Sequence, residues 1–125
     1  MAERAIRILV ADDEAGVRSF LRILLEGAGY HVIEAADGRH ALRQVRAGRV
    51  DLVITDLVMP ELEGIETIRA LRKEVPGIGI IAVSGAFEGQ FLQIAEMVGA
   101  DAILTKPVDP GSLLASVADV LKRQR

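Results

Sequence analysis

Five short apolar runs punctuate the chain: Ile6 to Ala11, His31 to Ala36, Asp51 to Thr55, Gly79 to Ser84 and Ala102 to Thr105. Three of them hold continuous rather than alternating segments: Ile8-Leu9-Val10, Leu52-Val53-Ile54 and Ile80-Ile81-Ala82-Val83. Such segments predict parallel strands buried on both faces. The second run carries Glu34 in its middle, which predicts an edge position. Stretches with helical spacing lie between the runs. Val17, Phe20, Leu21, Leu24 and Leu25 share one helix face, and Gly27 and Gly29 end it. Ala41, Leu42 and Val45 make a weaker stripe ended by Gly48. Ile65, Ile68, Leu71 and Val75 make a third, stopped by Pro76-Gly77. Phe91, Ile94, Ala95 and Val98 form the fourth, closed by Gly99, and Leu113, Leu114, Val117, Val120 and Leu121 form the fifth after Pro110.

The resulting order is βαβαβαβαβα. Strict alternation with short connections predicts an α/β fold in which helices cover both faces of a parallel sheet. Five strands suit the doubly wound, flavodoxin-like order 2-1-3-4-5. In such sheets ligands bind beyond the carboxyl ends of the strands, where the strand order reverses, here between strands 1 and 3.

Composition narrows the possibilities. A length of 125 residues predicts one domain, 1–125. With no Cys, disulfide scaffolds, thiolate-bound zinc and thiol catalysis are excluded. Fifteen basic against eighteen acidic residues give a net charge of −3, which argues against direct nucleic-acid binding. No apolar run approaches the ~18 residues a membrane span needs. The start, Met1-Ala-Glu-Arg-Ala-Ile-Arg, is charged and unlike a secretory signal. The expected setting is the cytoplasm, away from membranes.

The strand ends carry the chemistry. Asp12, Asp13 and Glu14 follow strand 1, Asp56 follows strand 3, Ser84 ends strand 4 and Lys106 follows strand 5. Strands 1 and 3 are expected to be neighbours, ~4.8 Å apart, so their carboxylates crowd one mouth. Two unit charges ~4 Å apart repel by about 4 kcal/mol at an effective dielectric of ~20. Either a proton is shared or a cation binds. A hard divalent ion suits oxygen donors, and Mg²⁺ needs few protein ligands while accepting phosphate oxygens. Carboxylates, a hydroxyl and a lysine together suggest a phosphoryl group, and an Asp carboxylate can itself accept one. Each feature alone has an ordinary reading. Asp12-Asp13 could cap the next helix, Asp56 before Met59-Pro60 could belong to a turn, Ser84-Gly85 to a loop, and Lys106 to the solvated surface. Their convergence at neighbouring strand ends favours a site.

These residues resemble the receiver domain of two-component response regulators, the family that includes the single-domain chemotaxis regulator. The resemblance spans the chain: Asp12-Asp13, Asp56 with Met59-Pro60 and Gly64, Ser84-Gly85 and Lys106-Pro107. It implies that Asp56 accepts a phosphoryl group from a phosphohistidine on a sensor histidine kinase or a histidine phosphotransfer protein. It implies Mg²⁺ bound by Asp13, Asp56 and the Val58 carbonyl, with Asp12 acting mainly through water. Lys106 is expected to pair with the phosphoryl charge. Ser84 is expected to hydrogen-bond it and to report phosphorylation to the face of helix 4, strand 5 and helix 5, where a downstream effector protein or domain binds. The family also implies a cis Lys106-Pro107 bond, assistance only of the chain's own phosphorylation and dephosphorylation, and a monomer or weak dimer.

Two departures from the family pattern stand out. Ile103 occupies the place, three before Lys106, where receivers commonly carry an aromatic residue. Val58 and Ala86 stand where polar side chains in some relatives influence water attack, which predicts slow self-dephosphorylation. His31 and His40 have no partner at metal-ligand spacing, and Arg39, Arg43, Arg46 and Arg49 read as a solvated face. Leu92 and Met97 flank the fourth stripe as boundary residues or as apolar surface for a partner. A flavin carrier is disfavoured because acids stand where a phosphate cradle belongs. A haloacid-dehalogenase-type phosphohydrolase is disfavoured because D-x-D-x-[TV] is missing. The remaining alternative is a receiver-like interaction module that works without phosphorylation.

Overall fold

The computed structural model describes residues 5–58, 64–85 and 89–124, without the side chains of 89–92. Met59-Pro60, Ala86 and the Phe91 and Leu92 side chains lie outside the described residues. The strands are β1 (Arg7–Ala11), β2 (His31–Ala35), β3 (Leu52–Asp56), β4 (Gly79–Ser84) and β5 (Ala102–Thr105). The helices are α1 (Ala15–Gly27), α2 (Gly38–Ala47), α3 (Gly64–Glu74), α4 (Gly89–Val98) and α5 (Pro110–Arg123). All strand pairs are parallel, in the order β2-β1-β3-β4-β5. The continuous apolar segments thus become central strands, and the run with Glu34 becomes an edge.

Alternate residues of each strand face opposite layers, as the two-residue period of a strand requires. Leu9, Val53, Ile80 and Ala82 pack with Leu42, Ile68, Leu71 and Ala95 of α2, α3 and α4. Ile8, Val10, Ile54, Ile81 and Val83 pack with Leu21, Leu25, Leu113 and Val117 of α1 and α5. Both layers are built from buried apolar side chains, so the sheet is gripped from two sides and its carboxyl ends form a fixed rim.

Some expected boundaries move. β3 runs one residue further, to Asp56. α3 stops at Glu74, leaving Val75 just outside the helix, because the residue before a proline is pushed out of the helical region. Phe20 and Ile94, expected in core stripes, are 44% and 41% exposed, whereas their neighbours Leu21 and Ala95 are buried. Each stripe is wider than the line of closest approach to the sheet. Leu21 and the small Ala95 take that line and turn Phe20 and Ile94 to its rim.

At the opposite end of the sheet one side chain gathers several chain segments. The Arg72 guanidinium donates to the carbonyls of Gly99 (2.7 Å), Pro76 (2.6 Å) and Ile78 (2.9 Å) and to Asp101 Oδ2 (3.0 Å). Asp101 Oδ2 also accepts the Ile80 N–H at 2.8 Å. Gly99, whose carbonyl Arg72 holds, has φ +125, a conformation suited to glycine. Arg72→Met is expected to lower stability by about 1.5–3 kcal/mol, the scale of a lost charge-assisted hydrogen bond. Urea denaturation should show a lower midpoint with an unchanged slope.

Candidate functional site

Register explains why the acids meet. Ala11 of β1 pairs with Thr55 of β3, so Asp12 and Asp56 are level with each other at the ends of adjacent strands. Asp56 pairs with Val83, and Ser84 pairs with Thr105, just before Lys106. The main chain continues this order past the strands: the Leu57 N–H donates to the Val83 carbonyl (3.0 Å) and the Lys106 N–H to the Ser84 carbonyl (2.8 Å). The five expected side chains from four strand ends therefore share one rim.

Lys106 occupies the centre of the pocket. Its Nζ lies 3.1 Å from Asp12 Oδ2, 3.3 Å from Asp56 Oδ2 and 3.7 Å from Glu14 Oε1. Asp12, Asp56 and Ser84 are buried, while Asp13 is exposed. Asp12 does not cap α1, whose N-cap is Glu14 without a side-chain cap hydrogen bond. Asp12 Oδ1 accepts the Glu14 N–H at 2.9 Å, and its Oδ2 faces Lys106. The Val58 N–H lies 3.4 Å from Asp56 Oδ1. The Lys106-Pro107 peptide is cis, as expected.

Carboxylate oxygens of Asp12, Asp13 and Asp56 all lie within 4.8 Å of one another. One ammonium cannot neutralise three such groups. A cluster of hard oxygen donors with an exposed member on its solvent side fits a small divalent cation such as Mg²⁺. Burial, and then the Asp12 charge, push the Asp56 carboxyl above its ordinary value of 3.8, against the opposing pull of Lys106 and the Val58 N–H. Burial works against the Lys106 ammonium, but its hydrogen bond to Asp12 and the charges of Asp56 and Asp12 outweigh it and hold its pKa above 10.5.

Three contributors were not legible as such. Glu14 reaches the Lys106 ammonium from the first residue before α1. Gly64, noted only as part of a motif, packs onto the main chain at the end of β3. A Cβ there would lie 2.3 Å from the Asp56 carbonyl oxygen and 2.4 Å from Leu57 Cα. Only glycine lets α3 approach so closely. The third is Arg18, whose guanidinium donates to the Asp12 carbonyl at 2.7 Å. Of the arginines in and near α2, Arg46 forms a forked pair with Glu74, and Arg49 pairs with Asp51.

A raised folded-state pKa means that any stability linked to Asp56 is present below the ordinary value of 3.8 and lost as pH rises through the raised value. Asp56→Asn removes that loss, and Lys106 keeps Asp12 as a partner. The variant is expected to melt on the order of a few degrees higher than the parent at neutral pH. The gap should close in acid, as thermal scans across pH will show.

The geometry can be compared with known proteins. The family model described as the response regulator receiver domain matches residues 8–118. The chain is 35% identical over 117 residues to the alkaline phosphatase synthesis transcriptional regulatory protein PhoP of Bacillus subtilis, covering 94% of this chain and 49% of PhoP. It is 37% identical over 115 residues to the CAI-1 autoinducer sensor kinase/phosphatase CqsS of Vibrio cholerae, covering 90% of this chain and 17% of CqsS. The chain thus spans about half the length of the regulator and far less of the kinase. Among solved structures, a CheY-like receiver domain from Methanospirillum hungatei has a TM-score of 0.91 at 30% identity, covering 97% of both chains. Chemotaxis protein CheY4 of Vibrio cholerae has a TM-score of 0.87 at 32% identity, covering 94% of this chain and 99% of that one. A family model that matches residues 8–118, with the whole fold shared with CheY-like receiver structures, makes this chain a member of the response regulator receiver domain family of two-component signalling.

Proposed function

We propose that Asp56 is the phosphoacceptor, taking a phosphoryl group from a phosphohistidine on a sensor histidine kinase or a histidine phosphotransfer protein. The observation that carries this reading is the Lys106 ammonium shared by Asp12 at 3.1 Å and Asp56 at 3.3 Å, beneath a rim where three carboxylates converge. An Asp56 carboxylate oxygen attacks phosphorus while the bond from phosphorus to the donor imidazole nitrogen breaks. That nitrogen keeps the electron pair, and Asp56 becomes an acyl phosphate. Lys106 Nζ follows the negative charge onto a phosphoryl oxygen, and the Ser84 hydroxyl donates to another. Asp13, Asp56 and the Val58 carbonyl would hold Mg²⁺, with Asp12 acting mainly through water. When bound, Mg²⁺ supplies positive charge opposite the phosphoryl oxygens. The chain assists only its own phosphorylation and dephosphorylation.

The surroundings suit a donor on one side and a reader on the other. An apolar hollow of about 250 Å³, lined by Gly16, Val17, Phe20, Pro107 and Val108, opens beside Lys106. It offers a donor a foothold within reach of the acceptor and gives the exposed Phe20 ring a use. Ile94 and Met97 of α4 and Ile103 of β5 are exposed. They supply apolar surface for an effector protein or domain once Ser84 has moved toward the phosphoryl group. Monomer or weak dimer, cytoplasmic setting and no direct nucleic-acid contact complete the proposal. No helix among the described residues is long and apolar enough to cross a membrane.

Acetyl phosphate with Mg²⁺ is expected to place one phosphoryl adduct on the chain, mapped by mass spectrometry to Asp56. The adduct should be absent from Asp56→Asn and when Mg²⁺ is chelated. A folded parent that gains no adduct, or gains it elsewhere, contradicts the proposal. The Val58 side chain is 41% exposed beside the acceptor and has no group to orient a water. After donor removal the adduct is expected to decay slowly, and Val58→Asn to shorten its lifetime. Rapid release of inorganic phosphate from the parent would sink that expectation.

A further inference from the structure

We propose that Arg18 is a positioning residue for the cation site, fixing the peptide on which Asp12 and Asp13 are mounted. This deepens the reading above and rests on it. Arg18 Nη1 donates to the Asp12 carbonyl oxygen at 2.7 Å, and its Nε donates to Glu34 Oε1 at 2.9 Å. That carbonyl belongs to the peptide joining Asp12 to Asp13. The N–H of Asp12 donates to the Ala35 carbonyl at 3.1 Å. Strand β2 therefore holds Asp12 from both sides, directly through Ala35 and by way of Arg18 through Glu34.

The planar guanidinium suits this task, because its fixed fork spans a carbonyl and a carboxylate at once. Glu34 is itself well anchored. Arg22, one turn along α1, donates to Glu34 Oε2 at 2.6 Å and to Glu26 Oε2 at 2.8 Å. The Arg22 hydrogen bond, opposed by burial and reinforced by Arg18, holds the Glu34 carboxyl below its ordinary value. The two arginines thus share Glu34, but only Arg18 also donates to Asp12. The charge in the middle of the edge strand has a use beyond protecting the edge: it anchors the clamp on the acidic loop.

Two effects of Arg18 on a bound cation have opposite signs. As a positive charge near the acids it disfavours Mg²⁺. As a fork fixing the carboxylate mounting it favours Mg²⁺. Partners in the outer shell of metal sites are worth about 10–100-fold in affinity, so positioning is expected to win.

The test is calorimetric titration of Mg²⁺ into the parent, Arg18→Met, Arg18→Lys and Arg22→Met, with melting curves recorded without Mg²⁺. Arg18→Met is expected to bind Mg²⁺ about tenfold more weakly or worse, and Arg18→Lys to recover only part of the loss. Arg22→Met disturbs the same ion-pair network without touching Asp12, and should stay within about twofold of the parent. A merely structural role would lower both melting points and leave the two affinities alike. Parental or tighter binding by folded Arg18→Met overturns the inference, as does an equal loss in Arg22→Met. Should Arg18→Met not fold, Arg18→Lys keeps the charge without the fork, and parental affinity there overturns it too. A parent that takes up no Mg²⁺ instead refutes the functional reading and the inference together.

Discussion

The Lys106 ammonium sits between carboxylates that come from different strands, 3.1 Å from Asp12 and 3.3 Å from Asp56. Charges ~3 Å apart attract by about 5 kcal/mol at an effective dielectric of ~20, so the contact ties the end of β5 to the ends of β1 and β3. It also leaves a deficit, because one ammonium contacts two members of a cluster of three carboxylates. At Asp56 the cost of burial and of the Asp12 charge outweighs the Lys106 attraction, so the pocket stays under-neutralised enough to attract further positive charge. In the proposed phosphorylation of Asp56, Lys106 would already be in place to follow the added negative charge. The proposed cation binding and phosphoryl transfer would be two responses to one arrangement of charge.

The fold supplies the rigidity that this arrangement needs. Two apolar layers grip β1, β3 and β4, so strand register, rather than loop conformation, puts Asp12 level with Asp56 and Ser84 level with Thr105. Gly64 then brings α3 directly against the Asp56 main chain, and Arg18 ties the acidic loop to the edge strand. Away from this rim, Ile94, Met97 and Ile103 leave apolar side chains in solvent. A held Asp56 and an exposed apolar face are what the proposed switch, read by a partner, would require.

Much of this was written in the residues. Ile8-Leu9-Val10 and Leu52-Val53-Ile54 marked central strands because burial on both faces tolerates no polar alternation. Once the strand order followed, Asp12, Asp13, Asp56, Ser84 and Lys106 fell at one end of the sheet. The rest depended on distances that sequence spacing does not carry. Phe20 and Leu21 are both apolar neighbours on α1, and only the approach of helix to sheet decides which is buried. Arg18 and Arg72 belong to no motif in the sequence, because their partners lie in segments remote along the chain, Glu34 in one case and Gly99 and Asp101 in the other. Gly64 stood in a recognised motif, but its contact with Asp56 is a matter of main-chain approach.

The under-neutralised carboxylate cluster is tested most directly by measuring the urea unfolding midpoint of the parent chain as Mg²⁺ is raised at constant ionic strength. A ligand that binds only the folded chain stabilises it in proportion to the logarithm of its concentration above the dissociation constant. The midpoint is expected to climb in that way with Mg²⁺. A midpoint indifferent to Mg²⁺ would contradict a cation site at the ends of β1 and β3.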